Sequence, residues 1–461
     1  MRFPFPQSAR YERLAKAVWS GAAARLVTTA AGMMSISLTV RYLGGDRYGL
    51  WATVAGAVMW VNLLDLGVAN ALTNNLARAH ALDDRLSAAQ HLTNALLMTG
   101  SMAVVAGLTF AVGFRYVNWM RLLNVGAAVP QLEVRHFVAA AIGLLLAGLP
   151  GGLAGRVLAG YQELHRYNFV TCAGAITGLL ALALGMIFHV SMPLLFILSA
   201  GCLPLASLTL LVRTIGWSKP WLRPRLLLSN KNTILELLSS GWAFFLIQIS
   251  AVVVYSSDNL IVSHYLGPAE VTPYSVTWRL ASLAAVVQSL LFPALWPAYA
   301  EAHARRDYNW VRRTFTFTLR GTVVFNAASA VLLVSLGKPL IRLWAGPVAV
   351  PSAPLLVAMA VWILVSGFMS VESCLLAALN RTRAQAVLSI VAAALNVTLS
   401  ITLVQRVGSL GVIAGTILSY LFVLVVPQSI LVRNLLREGC RASQPEAPFE
   451  SRRPMAESAA S

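Results

Sequence analysis

Three carboxylates and two arginines stand inside stretches that are otherwise apolar. The acids are Asp65 (with Asn62 and Asn70), Asp258 (beside Asn259) and Glu372. The bases are Arg25 and Arg279, and Gln248, Gln288 and Asn396 add neutral polar groups. An unpaired charge near a bilayer centre costs about 2.5–3.5 kcal/mol, so such residues face a bundle interior or a wet cavity rather than lipid. There a carboxylate can hold a proton or a cation, and an arginine can clamp a phosphate with two parallel hydrogen bonds. Each has a plainer role available as a packing contact. For Asp65 and Glu372, close to the inner ends of their segments, that structural role weighs more.

Two of these residues carry a geometric expectation. Asp258 lies eight residues before Leu266, and Arg279 lies seven after Thr272. On antiparallel neighbouring helices both would sit roughly 10–12 Å below one turn, at 1.5 Å per residue. They are expected to pair, either as a static interhelical ion pair or as part of a cavity wall.

The elements that must position them are membrane helices. The chain has 461 residues, 58% of them apolar and only 11% charged, with a mean hydropathy of +0.71. Soluble domains carry about 25% charged residues, whereas a bilayer-spanning helix needs roughly 20 apolar ones in a row. Twelve such segments are legible, at 20–42, 48–70, 92–114, 136–159, 167–189, 191–213, 240–265, 272–296, 316–337, 353–378, 384–405 and 408–433. The fold class is therefore all-α and polytopic. The four cysteines (172, 202, 374 and 440) show no metal-ligand spacing, and the first apolar run is too long for a cleaved signal peptide.

The chain also repeats itself. At a shift of 223, Tyr42-Leu43-Gly44 falls on Tyr265-Leu266-Gly267, and the stretch 71–84 falls on 294–307. The second pairing matches Ala71/Ala294, Leu72/Leu295, Ala77/Ala300, Ala79/Ala302, His80/His303, Ala81/Ala304 and Asp84/Asp307. Two similar six-helix lobes follow, with a cytoplasmic N-terminus at 1–19, an N-lobe at 20–213 and a linker at 214–239. A C-lobe at 240–433 and a disordered cytoplasmic tail at 434–461 complete the division. The repeated 71–84 and 294–307 segments read as interface helices or cytoplasmic extensions, with His80 and His303 as packing positions. Gly44, Gly45, Gly49 and Gly267 read as turn or hinge positions. Gly151/Gly155, Gly174/Gly178 and Gly411/Gly415 have the spacing for close helix contact.

The net charge of +18 is spread through the gaps between apolar runs, with no nucleic-acid motif, so nucleic acid is excluded as a partner. Alternating the loops from a cytoplasmic N-terminus puts twenty-six Lys and Arg inside and eight outside, with Arg279 within a helix. That bias sets both termini in the cytoplasm and leaves anionic bilayer lipids as contacts. No GxxxxGK[ST] loop, HExxH, GxSxG or paired loop carboxylates occur. No catalytic residue, cofactor or metal is assigned, and the loops are too small for an enzymatic domain.

Two stretches then resemble a known family. RYLGGDRYGLWATVAGAVMWVNLLDLGVANAL, near the first two segments, and DNLIVSHYLGPAEVTPYSVTWRL, in the seventh and eighth, resemble the polysaccharide flippases of the multidrug/oligosaccharidyl-lipid/polysaccharide (MOP) superfamily. Leu43-Gly44, Tyr48-Gly49 and Asp65-x-Gly67 carry the first-half likeness; Asp258, Leu266-Gly267, Tyr274 and Arg279 carry the second. The resemblance implies two lobes around a central cavity that opens alternately to either side. The implied cargo is an undecaprenyl-pyrophosphate-linked oligosaccharide, moved across the bacterial inner membrane for O-antigen, capsule or exopolysaccharide. Arg25 and Arg279 are then the best-placed phosphate partners, and Asp65, Asn70, Gln248, Asp258, Asn259 and Glu372 complete the candidate cavity set. A polysaccharide polymerase and export machinery are implied as partners, with proton or sodium coupling through the carboxylates. The alternatives are a multidrug efflux antiporter of the same superfamily, a lipid II flippase (a family of fourteen-helix chains, against twelve segments here), a non-transporting scaffold and a membrane glycosyltransferase.

Overall fold

The structure is a computed structural model that describes residues 7–61, 67–126, 129–379 and 381–442. The expected site residue Asp65 and the tail beyond 442 lie outside those residues. In a medium without water every backbone N–H and C=O must be satisfied within its own segment, which leaves helices as the solution for these long apolar runs. Nine stretches of the described residues are long and apolar enough to cross a membrane.

The first half of the chain forms α1 (Gln7–Val61), α2 (Val68–Ala81), α3 (Arg85–Gly113), α4 (Trp119–Leu122) and α5 (Gln131–Gly148). It continues with α6 (Leu153–Gly160), α7 (Leu164–Ile187), α8 (Met192–Ala200) and α9 (Cys202–Arg213). The second half forms α10 (Lys231–Leu266), α11 (Pro268–Ser289), α12 (Phe292–Ala304), α13 (Tyr308–Ala345) and α14 (Ala353–Ala378). α15 (Thr382–Val407), α16 (Ser409–Ser419) and α17 (Val426–Ala442) close it. The first expected segment and much of the second are thus one kinked element, and the sixth is split into α8 and α9 at Gly201. The last residues of the expected linker are the first turns of α10.

The repeat is written into the backbone. Gly44 kinks α1 at φ 76°, ψ 179°, and its counterpart Gly267 ends α10 at φ 91°, ψ 164°. Both angles lie where only glycine is comfortable. Asp84 accepts from the N–H of Ser87 to cap α3, and Asp307 accepts from Trp310 to cap α13. The residues before them, Asp83 and Arg306, share left-handed φ values of 52° and 58°. Residues with little side-chain likeness therefore keep the same turn.

Separate cores hold the halves. Leu72, Leu76, Leu92, Leu153 and Val157 pack α2, α3 and α6 together. Val262, Tyr274, Leu356, Met359 and Ile413 do the same for α10, α11, α14 and α16. The GxxxG pairs lie at helix contacts: a Cβ at Gly178 would stand 2.6 Å from the Ser199 carbonyl, and one at Gly411 2.4 Å from that of Leu403. Helix α10 belongs to both bodies, with Leu237 buried in the first-half core and Ile261 and Val262 in the second. Val104, Val105, Leu108 and Val112 on α3, and Val324 and Val331 on α13, are all more than 60% exposed. Such apolar faces suit lipid contact.

Candidate functional site

Lysine and arginine gather at one end of the bundle, where Arg85, Arg166 and Lys219 surround Tyr161 and Trp221 in a cleft of about 460 Å³. Lys219 is buried and bonds Glu163 at 2.9 Å, while Trp221 donates to the Tyr161 hydroxyl at 3.3 Å. Burial pushes the Tyr161 hydroxyl above its ordinary pKa, partly offset by the bond from Trp221. These contacts fasten the linker to the first half. Ser229 Oγ and the Asn230 N–H both reach Asn94 Oδ1. His80 packs its ring on Tyr161, whereas His303 bonds the Tyr308 hydroxyl at 2.8 Å.

At the opposite end the halves meet in a tight seam. A Cβ on Gly49 would stand 1.6 Å from the Pro268 carbonyl oxygen, so glycine alone allows α1 to lie on the start of α11. Thr272 Oγ1 donates to the Gly45 carbonyl at 2.7 Å. Trp344 Nε1 donates to Met33 at 2.9 Å, and Ser37 and Arg41 reach the carbonyls of Trp344 and Leu343. Ser263 and His264 of α10 reach the carbonyls of Leu123 and Leu122. Asn259 Nδ2 donates to Ala52 at 3.4 Å.

Arg279 lies at the level where this seam ends. Its guanidinium rests against Gly32 of α1, where a Cβ would be 2.7 Å from Nη2. Buried Tyr48 faces both Ser275 and Arg279. The Arg279 Nε is buried and makes no hydrogen bond, and no ion pair is recorded for this residue among the described ones. Arg25 is exposed on α1, seven residues from Gly32. Two helical turns return to the same face, about 10 Å further along. The two arginines therefore address one face between the halves.

The expected Asp258–Arg279 pair does not form. Asp258 turns into the second half, only 3% exposed, and accepts from the Tyr274 hydroxyl at 2.6 Å. Equal depth said nothing about direction. Tyr274 and Arg279 are five residues apart, which at 3.6 per turn puts them about 140° apart around α11. Tyr274 faces Asp258 and stacks on Trp278, while Arg279 faces α1. Thr416 faces the same Asp258 carboxyl and accepts from Asn396 Nδ2 at 2.7 Å. Asp258 Oδ1 and Asn396 Oδ1 are both buried with no hydrogen-bond partner. Thr416 had no charge and no repeat to mark it in the sequence; it is found only by what it touches.

Glu372 is buried between α14 and α17, where Ser429 donates to Oε1 at 2.7 Å. Nearby Gln288 bonds Asn326 and accepts from Ser370. Asn70 is half-buried on α2 and Gln248 half-buried on α10. Arg25 and Arg279 thus share a face between the halves, Asn259 bonds across the seam, Asp258 and Glu372 lie within the second half, and Asn70 stands apart on α2.

The fold of this helical, polytopic protein is shared with solved transporters, among them members of the MOP superfamily. An inward-facing multidrug resistance transporter of the MATE family has a TM-score of 0.78, at 13% identity, covering 92% of this chain and 100% of its own. An outward-facing MATE transporter scores 0.58, at 14% identity, over 91% of this chain and 96% of its own. The inward closed lipid II flippase MurJ scores 0.68, at 14% identity, over 93% and 94%. Residues 14–303 match the family described as "Polysaccharide biosynthesis protein", and the chain belongs to that family. Similar proteins include a "Putative O-antigen transporter" of Salmonella typhi, 21% identical over 65% of this chain and 68% of its own. A "Putative O-antigen export protein" of Yersinia pseudotuberculosis is 23% identical over 67% and 70%.

Proposed function

We propose that this protein is a flippase that carries an undecaprenyl-pyrophosphate-linked oligosaccharide across the bacterial inner membrane by alternating access. Its product feeds assembly of O-antigen, capsule or exopolysaccharide. The observation that carries the reading is Arg279, a half-buried cation with an unbonded buried Nε, held at the junction of the two halves. A pyrophosphate is the part of such a cargo least able to enter a bilayer, and a guanidinium fork is suited to receive it. Arg25, two turns from Gly32 on the same face, offers a second phosphate contact nearer the basic end.

The basic end is taken as cytoplasmic, as the Lys and Arg bias favours, which puts both termini inside. The α1–α11 seam is then a closed outer gate, and the molecule faces inward. The higher TM-score with the inward-facing than with the outward-facing MATE structure supports this. Asp258, a buried carboxyl with Oδ1 outside its bond to Tyr274 and with Thr416 beside it, is the proposed seat for a sodium ion or a proton. Loading that seat is proposed to power the cycle. Glu372, bonded by Ser429 at Oε1, keeps a buried Oε2 unbonded as Asp258 does and is the alternative proton seat. A polymerase would take the product at the outer leaflet.

The test is whether loss of the gene traps lipid-linked oligosaccharide on the cytoplasmic leaflet, read by a membrane-impermeant glycan-modifying reagent on spheroplasts. Release by wild type but not by Arg279→Ala is the expected result. Normal glycan export with altered sensitivity to cationic drugs would overturn the reading in favour of efflux.

A further inference from the structure

An amphiphile whose headgroup passes between the two halves must leave its tail in the bilayer, and the surface beside Arg279 is shaped for one. A groove of about 180 Å³ runs between α11 and α13, floored by α14. Its α11 wall includes Leu283, Ala284 and Val287; its α13 wall includes Phe325, Ser329 and Leu332. Ser329 brings the one polar side chain among the lining residues, and its hydroxyl is spent on the Phe325 carbonyl at 2.9 Å. The groove therefore offers nothing to a sugar or a phosphate. Ala284 and Ser329, on opposite walls, are two of its three small residues with Ala281, and larger ones there would fill it.

Its position relative to Arg279 is what singles it out. Leu283 follows Arg279 by four residues, one helical turn, so it stands almost directly beneath it on α11. Val287 continues that row, and Ala284 turns it toward α13. The cationic face and the apolar groove are thus adjoining strips of one helix. Trp344 of α13, one turn beyond the lining residue Leu340, bonds Met33 of α1, so a chain lying here would run from the Arg279 level toward the basic end. Val287 and Leu332 are 48% and 53% exposed, which leaves the groove open along its length.

We infer that this α11–α13 groove holds the first isoprene units of the cargo's polyprenyl tail while its phosphates lie at Arg279. The inference rests on the flippase reading for its ligand and names the place of the ligand's lipid end. A methyl-branched chain with no polar atoms matches a wall of Leu, Val and Phe with small-residue notches. An ordinary phospholipid acyl chain is the competing occupant.

Binding separates the two. Purified protein in nanodiscs is mixed with undecaprenyl monophosphate or with dioleoylphosphatidylglycerol, and retained lipid is counted by native mass spectrometry. Ser329→Trp and, from the opposite wall, Ala284→Leu are compared with Val331→Trp, which is 68% exposed on the same helix and outside the groove. Loss of a few buried methylenes predicts about tenfold less bound undecaprenyl phosphate for either groove variant. Val331→Trp should match wild type, and phosphatidylglycerol retention should be the same in all four proteins. Undecaprenyl phosphate retained at wild-type level by both groove variants would overturn the inference, as would parallel loss of both lipids. A size-exclusion profile matching wild type shows that each variant is folded, and Ala284→Leu stands if Ser329→Trp does not.

The same variants are expressed in cells lacking the gene. If wild type restores surface polysaccharide and the groove variants restore it as well with lipid retention intact, the groove fails and the flippase reading stands. If wild type restores nothing while undecaprenyl phosphate still needs the groove, the cargo reading fails and the lipid site remains.

Discussion

Arg279 and Asp258 sit on neighbouring helices, and what separates them is rotation. Arg279 touches the first half, and its buried Nε makes no hydrogen bond; Asp258 is enclosed in the second half with Oδ1 likewise unbonded. Hydrogen bonds to charged groups contribute about 1.5–3 kcal/mol, so Arg279→Ala is expected to lower outer-leaflet delivery about tenfold or more. Arg279→Lys, which keeps the charge and loses the fork, should recover only part of it. Both are read from glycan access at matched protein levels, and wild-type delivery by Arg279→Ala would remove the residue from the path. For Asp258 the expected readout is different. Asp258→Asn keeps an acceptor for Tyr274 and removes the charge, so the protein should fold while delivery stops responding to a sodium or proton gradient. Retained gradient dependence in that variant would take the coupling ion elsewhere. The types of these residues and their places along the helices were legible in the sequence, because polar groups stand out against an apolar background. Their directions were not, since sequence spacing gives position along a helix and neighbouring helices decide which way it is turned. Thr416 and Asn326 escaped for a related reason: a threonine or asparagine among apolar residues is a weak signal until its partner is known.

At the scale of elements, the turn at Gly44 and the seam at Gly49 show how much the repeat could tell. The shared Tyr-Leu-Gly motif located the two glycine turns, and the Asp84/Asp307 match marked two positions that prove to be helix caps, because these local features depend on a few residues. Gly49 was legible as a glycine at a turn. Its actual role, lying on the Pro268 carbonyl, depends on a residue more than two hundred positions away. Gly49→Ala places a carbon against backbone that cannot step aside, unlike Gly32→Ala, which meets the mobile end of Arg279. Overpacking costs about 1–3 kcal/mol, so Gly49→Ala is expected to lower the unfolding temperature in detergent and weaken the seam. Gly32→Ala should leave stability near wild type and act on delivery alone. Equal stability of the two variants would mean the seam relaxes more readily than the contact implies.

For the whole molecule, the seam defines a state that can be trapped. With Cys172, Cys202, Cys374 and Cys440 replaced by serine, a thiol pair at Gly45 and Thr272 can be bridged by a short bifunctional reagent. Bridging is expected to stop delivery, and cleavage of the bridge to restore it. Delivery unchanged by complete bridging would show that this end does not open during transport. The twelve-segment count captured the scale of the fold and missed its joins, since the kinks, the split at Gly201 and the reach of α10 are set by contacts between segments.

The double membership of α10 bears on how the protein is made. Its first turns, around Leu237, are buried in the core of the half synthesised earlier, and its last turns in the core of the half that follows. Domains fold in order as the chain emerges, so the start of α10 meets a completed surface while α11 to α17 are still unmade. The second half is thus begun on a template supplied by the first. Two co-expressed fragments divided between Ser218 and Lys219 would keep that template, whereas a division at Leu238, which strips α10 of its anchored turns, is expected to leave the second fragment unassembled and degraded, as pulse-chase labelling would reveal.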